Sequence, residues 1–125
     1  MPNEYTEDSL DTRSAHAYFK AKMAFTTGPA ELQRAIDNNE VNVVDVRAAK
    51  DFAEGHIPGS VSLPRPAWEH TSALSKDKPN VLVCYSPVCH LAPHAALLFS
   101  EQGYPVMELE GGWREWLQHG GATEA

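Results

Sequence analysis

The sequence predicts an α/β domain with a mostly parallel central sheet and helices on both faces, preceded by a helical arm. Short β-branched runs alternate with helix-like segments along most of the chain, the pattern of strands joined by crossover helices. Two of these runs, residues 41–46 and 81–85, are almost continuously apolar, as strands covered on both faces are. The 125 residues are 42% hydrophobic and 22% charged, which suits one globular domain and excludes a disordered or collagen-like chain.

In chain order, residues 8–24 mix Ala, Lys, Arg, Tyr and Phe and predict one helix. Leu10, Tyr18 and Phe25 are its sparse apolar anchors, so residues 1–24 read as an arm docked on a domain of residues 25–119. Thr27-Gly28-Pro29 marks a helix start, with Leu32, Ala35 and Ile36 on one face and Asn38-Asn39 at its end. The strand of residues 41–46 follows, then a helical turn over 48–54 closed by Gly55 and a brief strand over 60–63 stopped by Pro64 and Pro66. Residues 67–74 predict a short helix with Trp68 and Leu74 packed inward. The turn formers of residues 76–80 launch the strand of 81–85. A helix holding residues 95–99 stops at Gly103, residues 106–109 form the last strand, and Gly111-Gly112 opens a final helix anchored by Trp113, Trp116 and Leu117. Residues 120–125 read as a flexible tail.

Charge and composition bound the function. The formal net charge is −7, against the basic footprint of a free-standing nucleic-acid binder. No apolar run approaches the ~20 residues of a membrane helix, and the first 25 residues show no secretory h-region. Two cysteines without an export signal point to a reducing compartment, the cytoplasm, and to thiol chemistry rather than a disulfide framework.

In open parallel sheets the ligand site lies at the C-terminal ends of the strands, which directs attention to Asp45-Val46-Arg47 and to the loop after Val83. Cys84 ends an apolar strand, and residues 85–90 must curl tightly into the next helix. A loop entering a helix N-terminus turns backbone N–H groups toward its centre, stabilises a thiolate there and lowers its pKa. That is how a sulfur nucleophile is activated. Both cysteines read equally well as small buried hydrophobes.

The order of motifs resembles a single-domain rhodanese (sulfurtransferase) module over roughly residues 25–119. The resemblance is carried by Val43-Val44-Asp45-Val46-Arg47, by Phe52-Ala53-Glu54-Gly55-His56-Ile57-Pro58-Gly59-Ser60, by the strand-end Cys84, by Gly103-Tyr104 and by Glu110-Gly111-Gly112-Trp113-Arg114-Glu115-Trp116. It implies that Cys84 accepts sulfane sulfur as a persulfide, held by the backbone of Tyr85, Ser86, Pro87, Val88 and His90, and passes it to a nucleophile. No metal or organic cofactor is implied; the partners would be a small sulfane-sulfur donor and a thiol acceptor, with no nucleic acid and no membrane. A monomer or weak homodimer is expected.

The loop departs from that family's pattern. Pro87 and Val88 stand near its usual glycine, Cys89 near its usual arginine, and no Lys or Arg occurs over residues 85–99. Poor use of thiosulfate is therefore expected, and better use of polysulfides or small persulfides. Cys89 is a candidate resolving thiol, able to attack a persulfide on Cys84 and leave a disulfide, or equally a spare packed thiol. The resemblance assigns Arg47 a structural ion pair near the site, with Asp45 at the same strand end, and His56 reads as a hydrogen-bonded turn residue. Glu108, Glu110 and Glu115 read as a solvated face.

Three other readings were open to these residues. Cys84, Cys89, His90 and His94 are zinc-ligand types, but without the close pair of a structural site. A cysteine phosphatase would need an arginine where His90 stands, five residues intervening after Cys84. A catalytically weak redox-sensing or protein-docking module is the non-enzymatic alternative.

Overall fold

The computed structural model describes residues 7–125; the first six residues of the arm lie outside the described residues. Helix α1 (Thr12–Phe25) opens on an Asp11 cap whose carboxylate accepts the N–H groups of Arg13 and Ser14. It leads into β1 (Thr26–Thr27) and α2 (Pro29–Asp37), which starts with Pro29 in its first turn. Then come β2 (Asn42–Asp45), α3 (Ala49–Glu54), β3 (Val61–Ser62), β4 (Asn80–Val83), α4 (Leu91–Glu101), β5 (Val106–Leu109) and α5 (Gly112–Gln118). All strand pairs are parallel, in the order β1-β5-β4-β2-β3, with helices on both faces.

Strand alternation divides the core into two layers. Val44, Val46, Leu82 and Cys84 face α4, where Ala92, Ala95 and Phe99 meet them. Val43, Val81 and Val83 face the other way, onto Leu32 of α2 and Trp116 of α5. The central strands β2 and β4 carry apolar residues on both faces because both layers need them, with Asn42, Asp45 and Asn80 as their polar positions. Asn80 has no exposure at all. Its amide donates to the carbonyls of Ser75 and Pro105, and its oxygen accepts from Asn42 and the Ser75 backbone. All its hydrogen-bonding capacity is used, which is what makes a buried amide tolerable.

Four local expectations change. Residues 67–74 are not one helix but lie in two 3₁₀ turns, Arg65–Ala67 and Thr71–Ala73, because Pro64 and Pro66 remove donors from this short connection. Trp68 is still buried there, its indole N–H on the Leu63 carbonyl. The arm's apolar residues are not buried anchors: Leu10, Tyr18 and Phe25 are 79%, 55% and 60% exposed. The arm is instead held by the β1 ladder to β5 and by the Lys22–Glu110 ion pair at 2.8 Å. Residues 120–125, expected as a flexible tail, are folded back on the domain. The Trp116 indole donates to the Ala122 carbonyl, and Glu124 exchanges two backbone hydrogen bonds with His56. Lastly, β4 ends at Val83 rather than Tyr85, since the carbonyls of Cys84 and Tyr85 turn to the N–H groups of Trp113 and Arg114. Among the described residues no helix is long and apolar enough to cross a membrane.

Candidate active site

Cys84 shares its face with Leu82, so its side chain points toward α4, where Cys89 waits one residue before the N-cap. Between them Ser86, Pro87, Val88 and Cys89 close a β-turn, the Cys89 N–H donating to the Ser86 carbonyl at 3.1 Å. Pro87 takes the first central position, where its fixed φ suits a turn, and so replaces the glycine expected there. The two sulfurs are joined as a disulfide. Cys84 is 4% exposed, whereas Cys89 is half-buried and its Sγ accepts the Leu91 N–H at 3.4 Å. An N–H group and the positive end of an eleven-residue helix thus bear on the outer sulfur of the pair.

The loop is braced from below by α5. Trp113 N–H donates to the Cys84 carbonyl at 2.8 Å and Arg114 N–H to the Tyr85 carbonyl at 3.0 Å. This approach requires glycine at 112: φ is +62°, and a Cβ there would stand 2.5 Å from the Cys84 carbonyl oxygen and 3.1 Å from the Ser86 nitrogen.

A pocket of about 240 Å³ opens over the cysteines. Cys84, Ser86, Pro87 and Cys89 form one wall with Ala92 of α4; Glu108 and the turn of Leu109, Glu110 and Gly111 form the other. Lys22 of the arm closes the rim. Of the predicted loop residues, Tyr85, Val88 and His90 do not line it. Val88 is 85% exposed. Tyr85 points to α3, its hydroxyl donating to Asp51 and accepting the Ala48 N–H. Burial, then the hydrogen bond to Asp51, raises its pKa above the usual phenol value.

Asp45 and Arg47 sit on the opposite face from Cys84 and are almost wholly buried. The guanidinium donates to both Asp45 oxygens at 2.8–3.1 Å and to the Gly55 carbonyl at 2.7 Å. It also lies over the Trp113 ring, 4.5 Å from the centroid. One cation therefore ties β2, the end of α3 and the start of α5, the helix that braces the cysteine loop. His56 is held by the Phe52 carbonyl at Nδ1 and by Glu124 at Nε2, stacked on the Phe52 ring. Neither Arg47 nor His56 lines the cysteine pocket.

Of the residues expected on a solvated face, Glu110 is exposed, whereas Glu108 and Glu115 are part-buried. Glu108 is half-buried, and desolvation, followed by the nearby Glu110 charge, raises its pKa. The hydrogen bond from Lys22 lowers that of Glu110, and the same bond raises that of Lys22. Lys22, Glu108 and Glu110 are the site residues that sequence reading missed. The strand-end rule that singled out Asp45 and Cys84 reaches Glu110 too, just past the end of β5; nothing local in the sequence marks Lys22. Among the described residues no three His, Cys, Asp or Glu side chains converge as a metal site.

The description Rhodanese-like domain fits residues 28–119, through its family model. An HTH-type transcriptional regulator of Mycobacterium tuberculosis is 34% identical over 88 residues, covering 70% of this chain; the chain spans only 39% of that protein's length. Thiosulfate sulfurtransferase GlpE of Shewanella oneidensis is 32% identical over 88 residues, covering 69% of this chain and 85% of that one. The crystal structure of the BH2092 protein from Bacillus halodurans superposes with a TM-score of 0.84 at 33% identity, over 92% of this chain and 87% of that one, so the match extends into the arm. With its five-stranded parallel sheet, its strand-end cysteine loop and a family match over most of its length, this chain belongs to the rhodanese-like domain family.

Proposed function

We propose that the domain is a sulfurtransferase whose reduced form carries sulfane sulfur as a persulfide on Cys84 and passes it to a thiol. Family membership supports a sulfurtransferase-like function in general. The observation that carries the specific reading is the placement of Cys84: a strand-end sulfur, fixed through its own carbonyl by α5, at the wall of a 240 Å³ pocket beside a helix N-terminus. The Cys84 thiolate attacks the outer sulfur of the donor, the donor's S–S bond breaks, and the donor leaves with the electron pair. The loop backbone from Tyr85 to His90 would hold the persulfide anion.

The pocket rim also bears on the donor. Two carboxylates, Glu108 and Glu110, face a single Lys22 already engaged by Glu110, and the loop supplies no cation. A dianion such as thiosulfate meets repulsion there, so small persulfides of lower charge fit better. GlpE proteins are named for thiosulfate; this chain lacks the loop arginine that would grip it.

Peptide mapping by mass spectrometry after brief exposure of the reduced protein to polysulfide tests the assignment. One added sulfur on the Cys84 peptide of the Cys89→Ser protein, absent in Cys84→Ser, is the expected result. Failure of Cys89→Ser to hold an added sulfur on Cys84 would reject it and favour the redox-sensing reading.

A further inference from the structure

The position that holds an arginine in the resembling family holds a second thiol here, and that thiol is already bonded to the first. A disulfide between Cys84 and Cys89 means that the Cys89 sulfur reaches the Cys84 sulfur within the folded loop, with the 86–89 turn closed and α4 starting in register. The same geometry applies when Cys84 carries a persulfide, because the atom that Cys89 meets is the inner sulfur, Cys84 Sγ. The Leu91 N–H on Cys89 Sγ and the positive end of α4 favour the thiolate at Cys89 over the thiol. Cys84 Sγ is buried, so an external thiol has poorer access to that inner sulfur than its loop neighbour.

We propose that Cys89 resolves the Cys84 persulfide, so that the domain reduces sulfane sulfur to hydrosulfide and is itself left as the Cys84–Cys89 disulfide. This rests on the Cys84 carrier reading above. In the step, the Cys89 sulfur forms a bond to Cys84 Sγ and the bond from Cys84 Sγ to the outer sulfur breaks. The outer sulfur leaves with the bonding pair and takes a proton from water, so that it is released as hydrosulfide. The sulfane sulfur gains two electrons; the two cysteine sulfurs lose them. A dithiol then completes the cycle: its thiolate attacks the more exposed Cys89 sulfur, Cys84 leaves as thiolate, and the second thiol of the reductant releases Cys89 while the reductant becomes a disulfide. The partner class is thus a small or protein dithiol. In the disulfide state the domain cannot accept sulfur, so the supply of that dithiol gates the whole activity.

The probe is one equivalent of benzenethiosulfonate, a donor that releases sulfinate and no sulfide of its own, added to the reduced protein with no free thiol present. Wild type is expected to release one hydrosulfide per chain and to lose two hydrogens in intact mass. Cys89→Ser is expected to keep the added sulfur on Cys84 and to release no sulfide until a dithiol is supplied. A wild-type protein that holds the added sulfur on Cys84 and releases sulfide no faster than Cys89→Ser would overturn the inference while leaving the carrier reading intact. Failure of Cys89→Ser to take up sulfur on Cys84, with its secondary structure unchanged by circular dichroism, would overturn both.

Discussion

Replacing Gly112 by alanine tests whether α5 positions the cysteine loop. The backbone at 112 is left-handed, with φ at +62°, which costs a residue bearing a Cβ about 1–2 kcal/mol. The new methyl group would also stand 2.5 Å from the Cys84 carbonyl oxygen, so that carbonyl or α5 must move and the 2.8 Å bond from Trp113 is stretched or lost. An unsatisfied buried backbone group costs a further ~1–3 kcal/mol, for a total of about 2–5 kcal/mol. Gly59 supplies the control: its φ is +80°, yet nothing lies within 4 Å of where a Cβ would be, so Gly59→Ala bears only the backbone cost. Urea titration followed by tryptophan fluorescence, with dithiol present so that both cysteines stay reduced, reads the difference. The excess over Gly59→Ala is the ~1–3 kcal/mol of the stranded carbonyl, so with a slope of ~1–3 kcal/mol per molar Gly112→Ala should lower the midpoint by about 1 M beyond Gly59→Ala. It should also slow sulfur loading on Cys84. Equal losses in the two variants would refute the claim that the close approach of α5 matters.

Other perturbations separate scaffold from chemistry. Asp45→Ala strands the buried Arg47 guanidinium and should cost about 3–5 kcal/mol in the same titration; a loss under ~1 kcal/mol would show that Gly55 and Trp113 suffice to hold it. Asn80→Ala removes four hydrogen bonds, to Asn42, Pro105 and both backbone groups of Ser75, at the end of the sheet remote from the cysteines, and should cost about 2–4 kcal/mol. Sulfur uptake per folded molecule should stay at the wild-type level, and a fall in uptake would place the amide in the site's support. Glu110 titrates below the usual carboxylate value because Lys22 donates to it, so the attraction is complete above the unfolded carboxylate pKa and fades as pH falls through the lowered one. Lys22→Ala should move the Glu110 midpoint upward in carbon-detected NMR. An unmoved midpoint would mean that the arm does not close the pocket in solution.

The sequence and the structure part company where information is not local. The strands at residues 41–46 and 81–85 were readable because both faces are buried, so apolar residues dominate both sets of alternate positions. β1 was not, since Thr26 and Thr27 carry no period and become a strand only through β5 beside them. The tail escaped detection for a similar reason: what holds it are Trp116 and His56, and neither announces a partner in the chain. At the site, Cys84 and Cys89 were visible from strand-end logic within one loop. Lys22 and Glu108 were not, because one belongs to the arm and the other to the last strand, and only the sheet order brings them to one pocket.

That order has a consequence for how the protein is made. Among the described residues β1 pairs with β5 alone, the last strand of the sheet, so the arm's strand has no partner while the ribosome is still reading the middle of the domain. The nascent chain displays both thiols after β4 emerges, before Glu108, Gly112 and the α5 amides exist to wall and brace them. Completion of the last strand and helix therefore brings three things together at once: the arm, the pocket and the posture of the cysteine loop. A chain released early would carry the reactive sulfurs without the chamber that disciplines them.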